Sequence, residues 1–196
     1  MTGPAAVTGP LEGRGVGLLL APGAGADRNQ AALVAIDAAA SALGTRVVRM
    51  DFPYRQAGRR APDRAPVLID SVVAEASMLA PHVERLVLGG RSMGGRVCSM
   101  AVAQGLPAAG LVLVSYPLHP PGRPDKMRTE HLPALQVPCL FVSGTRDAFG
   151  RPDELEAAIE VIPGPVTMTW VQGDHSLRGQ DAAVASIVAA WLSGLP

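Results

Sequence analysis

The chain has 196 residues, 48% of them hydrophobic, enough to bury a sizeable core as a single domain. Seventeen basic residues against seventeen acidic ones give a formal net charge of zero, so no overall field favours nucleic acid, an anionic membrane or a polyanionic partner. Two cysteines cannot build a disulfide framework. Cys98 and Cys139 both fall in apolar segments, where reduced, buried thiols are expected rather than a bridge or a metal site. Residues 1–15 contain neither a positive n-region nor an apolar h-region, and no run is long enough to span a bilayer. The expectation is a soluble cytoplasmic protein.

Residues 1–15 are rich in Gly, Pro and Ala and read as a flexible lead-in or a poorly paired edge segment before a domain over 16–196. Val16 to Ala21 is a short apolar run that suits a strand covered on both faces, and it breaks into Pro22-Gly23-Ala24-Gly25-Ala26. Asp27 with Gln30 three residues on signals a helix start, and Leu33, Ile36, Ala40 and Leu43 repeat at helical spacing as far as Gly44. Arg46 to Met50 is the next strand. It runs into Asp51-Phe52-Pro53-Tyr54 and a polar loop holding Arg55, Arg59, Arg60 and Arg64, read as solvated and locally paired with Asp63. From Pro66, the residues Leu68, Val72, Val73, Ala76 and Leu79 mark a second helix.

Leu86-Val87-Leu88 then enters a glycine pair, passes Ser92, meets a second glycine pair and leaves as a helix over about 94–104. Gly110 to Ser115 is another apolar strand. After it, prolines at 117, 120, 121, 124, 133 and 138 forbid much regular structure, although 126–132 could hold one or two helical turns. Cys139 to Ser143 is a strand opening into Gly144-Thr145-Arg146-Asp147, and Pro152, Asp153 and Glu154 start a helix with an acidic first turn. Val166 to Val171 is the last strand, ending in Gly173-Asp174-His175-Ser176. Val184, Ile187, Val188, Trp191 and Leu192 share one face of a final helix. Roughly six short apolar strands alternating with helices predict an α/β class, a three-layer α/β/α sandwich on a mostly parallel sheet. Ligands of such sheets collect beyond the carboxyl ends of the strands. The segments 22–26 and 51–54, Ser92, the segment 116–119, Asp147 and His175 all sit at such ends and should share one rim.

Gly90-Arg91-Ser92-Met93-Gly94 reads as G-x-S-x-G, in which small residues two before and two after let a strained serine stand exposed above a sheet. An ordinary glycine-rich turn has the same spelling, so the weight comes from the strand before it and the helix after it. A serine hydroxyl is a poor nucleophile at neutral pH and needs a base to take its proton and a third group to orient that base. His175 and Asp147 supply both from the same rim. Asp174 is the competing acid, but sequence neighbours rarely present side chains to one another well.

The segments GGRSMGGR, YPLHPPG, SGTRDAFG and GDHS, in the chain order serine, aspartate, histidine, resemble the small α/β-hydrolase family. That family is dienelactone-hydrolase-like in breadth and includes the Tex-type hydrolase-like proteins and a subunit of the histone-acetyltransferase NSL complex. The resemblance covers roughly Val16 to the C-terminus. It implies a minimal fold without a full lid, Ser92 as nucleophile, His175 as general base, Asp147 as the acid that holds it, and no metal or organic cofactor. In the superfamily the oxyanion is met by backbone N–H groups, here those of Met93 and Ala24. The superfamily often carries His-Gly where Pro22-Gly23 stands; proline cannot donate as histidine would, while the donor two residues on is untouched. Tyr54, Tyr116 and His119 are expected to line the acyl or leaving-group side, with Arg91 and Arg146 flanking the nucleophile and the acid. The activity implied is cleavage of a small-molecule ester or thioester, with an acyltransferase or peptidase using the same residues, or an idle hydrolase-fold interaction module, as alternatives. Oligomeric state is not legible.

Overall fold

The structure, a computed structural model, describes residues 5–9 and 15–195. Seven strands form one sheet: β1 (Ala6–Thr8), β2 (Val16–Ala21), β3 (Arg46–Arg49), β4 (Arg85–Arg91), β5 (Gly110–Val114), β6 (Cys139–Gly144) and β7 (Val166–Val171). Their spatial order is β1-β3-β2-β4-β5-β6-β7, with β1 antiparallel to β3 and every other pair parallel. The helices are α1 (Ala31–Ala42), α2 (Pro53–Gln56), α3 (Ala65–Leu79), α4 (Met93–Ala103), α5 (Pro152–Ile159) and α6 (Asp181–Ser193).

The strands are apolar throughout because both faces are covered. Leu18, Leu20, Val87, Val112, Leu140 and Val142 point to one side, where they pack with Leu33 and Ile36 of α1 and Val184 and Val188 of α6. Their alternates Leu19, Ala21, Leu88, Leu113 and Phe141 point to the other, against Val72 and Ala76 of α3, Val97 and Cys98 of α4 and Leu155 of α5. The chain moves outward from β2 to β3, crosses back to β4 and continues away through β7. The order of strands therefore reverses between β2 and β4, and the crevice beyond their carboxyl ends is where such sheets take ligands.

Two local readings differ from what the sequence predicts, and a third is narrowed. Strand β1 forms where a flexible lead-in or a poorly paired edge segment is expected; it is a short edge strand, held because the Thr8 hydroxyl donates to the buried Asp37 carboxylate. That carboxylate also accepts from Ser41 Oγ at 2.9 Å and Arg49 Nε at 2.7 Å, so its burial is compensated. The rest of the lead-in, 1–4 and 10–14, lies outside the described residues. Asp27 caps a turn, accepting from the Asn29 N–H at 2.9 Å, and α1 starts four residues later with Gln30 as its N-cap. The one or two helical turns that 126–132 could hold do not form. The Arg128 N–H bonds across to the Leu118 carbonyl at 2.9 Å instead of along its own segment, leaving only a 3-10 turn at Leu132–Ala134. In the arginine loop Arg59 and Asp63 are paired at 2.7 Å as read, whereas Arg55 lies in α2, half-buried, and pairs with Asp27 at 3.6 Å.

Strands β2 and β4 pair so that Ala21 lies opposite Gly90, and a Cβ on Gly90 or Gly94 would collide with the Ala21 carbonyl. Backbone cannot yield as a flexible side chain would. Gly94→Ala is therefore expected to destabilise by ~1–3 kcal/mol or more, the range for overpacking, with a lower urea midpoint as the readout. An unchanged midpoint would mean that the two segments approach less closely.

Candidate active site

Three loops bring the chemistry together at the reversal point. The turn between β4 and α4 puts Ser92 at φ 51° and ψ −118°, a left-handed position rare for a residue with a side chain. It is held there by its own N–H, which donates to the Val114 carbonyl at 2.8 Å. The loop after β7 carries His175, whose Nε2 stands 2.8 Å from Ser92 Oγ. The loop after β6 carries Asp147, whose two carboxylate oxygens lie 3.0 and 2.8 Å from His175 Nδ1.

Each member is braced. Asp147 is 1% exposed, and its Oδ1 also accepts from the Phe149 N–H at 2.8 Å. The Phe149 ring stacks on the imidazole with centroids 4.0 Å apart. Arg91 Nη2 donates to the His175 carbonyl at 2.6 Å. Burial lowers the pKa of the Arg91 guanidinium, while Asp147, Asp181 and Asp174 favour its charge. Asp174 has no part in orienting the imidazole; its Oδ1 accepts from the Ser176 N–H at 2.8 Å and from the Ser176 hydroxyl at 2.5 Å.

The cavity above Ser92 has a volume of about 390 Å³, and Gly23, Ala24, Met93, Pro117, Phe149 and His175 form much of its wall. Met93 N–H opens α4, and neither it nor the Ala24 N–H has an intramolecular partner among the described residues. On either side of Ala24, the Gly23 N–H donates to Gln30 Oε1 at 3.0 Å and the Gly25 N–H to Tyr54 Oη at 3.0 Å. The loop is thus held on both sides of a donor left free. A carbonyl oxygen that becomes negative beside Ser92 would meet preorganised N–H groups and the positive end of a helix.

The three residues expected to line the substrate side do not reach the cavity. Tyr54 is fully buried and serves the 22–26 loop from behind. Tyr116 is buried against Phe141 and donates its hydroxyl to the Arg128 carbonyl at 2.7 Å. His119 is buried with Nδ1 2.8 Å from the Pro120 carbonyl and Nε2 3.3 Å from Glu154. Of the flanking arginines, Arg91 lines the cavity, whereas Arg146 is exposed and borders a separate depression. Sequence reasoning missed Gln30, Arg96, Arg128 and Phe149. Arg96 had a signal, since four residues after Ser92 on a helix is the same face one turn on. The other three are joined to the site only by tertiary structure.

A model of the alpha/beta hydrolase domain family matches residues 14–189. The chain belongs to this family. Among solved structures, an alpha-beta serine hydrolase homologue from Coxiella burnetii superposes with a TM-score of 0.79 at 20% identity, over 98% of this chain and 95% of its own. Dienelactone hydrolase from Anabaena variabilis gives 0.76 at 19% identity, over 96% and 90%. Est1E from Butyrivibrio proteoclasticus, bound to ferulic acid, gives 0.80 at 13% identity, over 98% and 94%. At these identities the likeness is one of fold.

No described helix is long and apolar enough to cross a membrane. Cys98 and Cys139 are free and buried, and burial pushes both thiols up to about 12, far from the thiolate that reacts. Beneath the cavity, His131 Nε2 lies 2.8 Å from Ser99 Oγ; burial first, and the nearby Arg96 charge second, lower its pKa to about 4. An unfolded histidine binds its proton near pH 6.5, so between about 6.5 and 4 the unfolded chain holds more protons at this position than the folded one. The stability contributed by neutral His131 is complete above that window and is lost as pH falls through it. Denaturant titrations at pH 7 and pH 4.5 should show a smaller difference for His131→Gln than for the native chain. An equal difference would assign the acid sensitivity elsewhere.

Proposed function

We propose that this protein is a serine hydrolase that cleaves a carboxylic ester or thioester through an acyl-enzyme on Ser92. The observation that carries the reading is the continuous hydrogen-bonded line from Ser92 Oγ through His175 to the buried Asp147, beside two unpaired N–H groups. In the proposed reaction His175 Nε2 takes the Ser92 proton as Oγ attacks the substrate carbonyl, and Asp147 stabilises the imidazolium by accepting from Nδ1–H. The oxyanion is met by the N–H groups of Met93 and Ala24, each such donor being typically worth ~2.7–4 kcal/mol. The imidazolium then gives its proton to the departing alkoxide or thiolate, and water repeats the sequence to free the acid. No step requires a metal or an organic cofactor.

The cavity volume, at the small end of ligand sites, supports a short acyl group over a long one. The segment between β5 and β6 supplies Pro117 and Arg128 to one wall but does not close over Ser92, which supports the reading of a half-covered cleft without a full lid.

A fluorophosphonate probe should label the native protein and leave Ser92→Ala unlabelled; a folded native sample that takes no label would favour an idle hydrolase-fold interaction module. Hydrolysis of p-nitrophenyl acetate should fall as pH is lowered, because a protonated imidazole cannot accept the Ser92 proton. His175→Ala should lose ~10²–10⁴-fold in kcat, the usual range for general acid–base catalysis. A pH-independent rate, or full activity in His175→Ala, would remove His175 from the role of base.

A further inference from the structure

The cavity beside Ser92 is charged on one side. Arg91, Arg96 and Arg128 line it, and among the described residues no aspartate or glutamate does. Arg91 is committed through its Nη2 to the His175 carbonyl, and the charges of Asp147, Asp181 and Asp174 favour its own without a salt bridge among the described residues. Arg96 and Arg128 are not. Neither enters an ion pair among the described residues, and Arg96 Nε is buried with no hydrogen-bond partner. Glu130, two residues from Arg128, is exposed and pairs with neither.

Two like charges held near one another without an acid are destabilising, and burial and the Arg96 charge both lower the Arg128 pKa. The surrounding structure keeps them there nonetheless. Arg96 is fixed in the first turns of α4, one turn after Ser92, with its carbonyl accepting from Ser99 Oγ at 2.8 Å. The Arg128 backbone is pinned twice, by its N–H to the Leu118 carbonyl at 2.9 Å and by Tyr116 Oη to its own carbonyl at 2.7 Å, while its Nη1 reaches only the Pro117 carbonyl at 3.4 Å. Guanidinium forks match a carboxylate in two-pronged geometry and hold their charge when partly desolvated.

We propose that Arg96 and Arg128 form an anion subsite in the cavity beside Ser92, and that the substrate is a small ester or thioester bearing a carboxylate. This rests on the acyl-transfer reading of Ser92. The carboxylate supplies the countercharge that the two arginines lack and sets the reacting carbonyl at a fixed distance from the anion end.

The test compares 4-nitrophenyl hexanoate with mono-4-nitrophenyl adipate, which differ by a carboxylate in place of the terminal methyl group, each corrected for its enzyme-free rate. The native protein should prefer the adipate in kcat/KM by about tenfold or more, the scale of one charge-assisted hydrogen bond. The preference should shrink towards unity in Arg96→Gln and in Arg128→Gln. The ratio is read within each variant, so a loss of stability that lowers both rates does not imitate the effect. A native ratio of one or less, with Ser92 still labelled by fluorophosphonate, overturns the subsite and leaves the proposed reaction standing. No labelling and no cleavage of either ester overturns both. Protection of Ser92 from labelling should be stronger with monomethyl adipate than with inorganic phosphate; the reverse order overturns the carboxylate and points to a phosphorylated substrate.

Discussion

The carbonyl of Ala21 lies against the backbone of the Ser92 turn, and the rest of the site follows from that approach. Only glycine at positions 90 and 94 admits it. Because Ala21 pairs with Gly90, β2 ends where the elbow begins, and the 22–26 loop leaves the sheet beside the start of α4. The N–H groups of Ala24 and Met93 consequently open into one cavity although they are 69 positions apart in the chain. The strained φ of Ser92 is part of the same geometry. It is offset by the bond to Val114 and by the packing of Val97, Cys98 and Ala101 of α4 against the sheet.

A second layer of buried polar groups sets the backbone that faces the cavity. Pro22-Gly23 brings no side-chain donor of the kind that His-Gly would, and the loop is fixed instead by Gln30 from the N-cap of α1 and Tyr54 from α2. Pro53 at the first helical position turns the chain after β3 so that Tyr54 points inward. Tyr116 does the equivalent for the segment between β5 and β6, and His119 ties the same segment to α5 through Glu154. All three act on backbone or on a neighbouring helix rather than on the cavity itself. The bulk of each tyrosine is apolar enough to be buried and its single polar tip reaches a partner, which is the usual use of buried tyrosine, while His119 partners both ring nitrogens.

Much of the fold was legible because a strand covered on both faces must be apolar at every position. Val16 to Ala21, Gly110 to Val114 and Cys139 to Gly144 announce themselves as runs between Gly and Pro, and their alternation with helical spacing is enough for the class. Strand β1 was harder, since three residues in a glycine- and proline-rich stretch carry no period, and its pairing depends on Asp37, 29 residues away from Thr8. Ser92, Asp147 and His175 were placed on one rim because strand ends are countable, and the structure brings them within hydrogen-bond distance. The substrate-side residues were not legible in the same way. Being at a strand end fixes where a backbone goes; whether Tyr54 or Tyr116 turns inward or outward is decided by the packing of segments far away in sequence.

The charges around the cavity make the same point about what a rim position leaves open. Arg91 and Arg96 lie five residues apart on either side of Ser92, yet Arg91 donates to the His175 carbonyl and feels the charges of three acids, whereas Arg96 Nε is buried without a partner. The acids that serve Arg91 come from loops after β6 and β7 and from the start of α6, so they gather on the His175 side. The opposite side is built from α4 and the proline-rich segment, where burial and the Arg96 charge lower the pKa of half-buried His131 and so disfavour a third positive charge beside Arg96 and Arg128. The result is a cavity with its negative charge buried behind the imidazole and its positive charge facing the open space. In the proposed reaction an imidazolium formed at His175 would be stabilised from one direction and an anion beside Ser92 from the other, so the two charges would be separated by the fold before any substrate arrives.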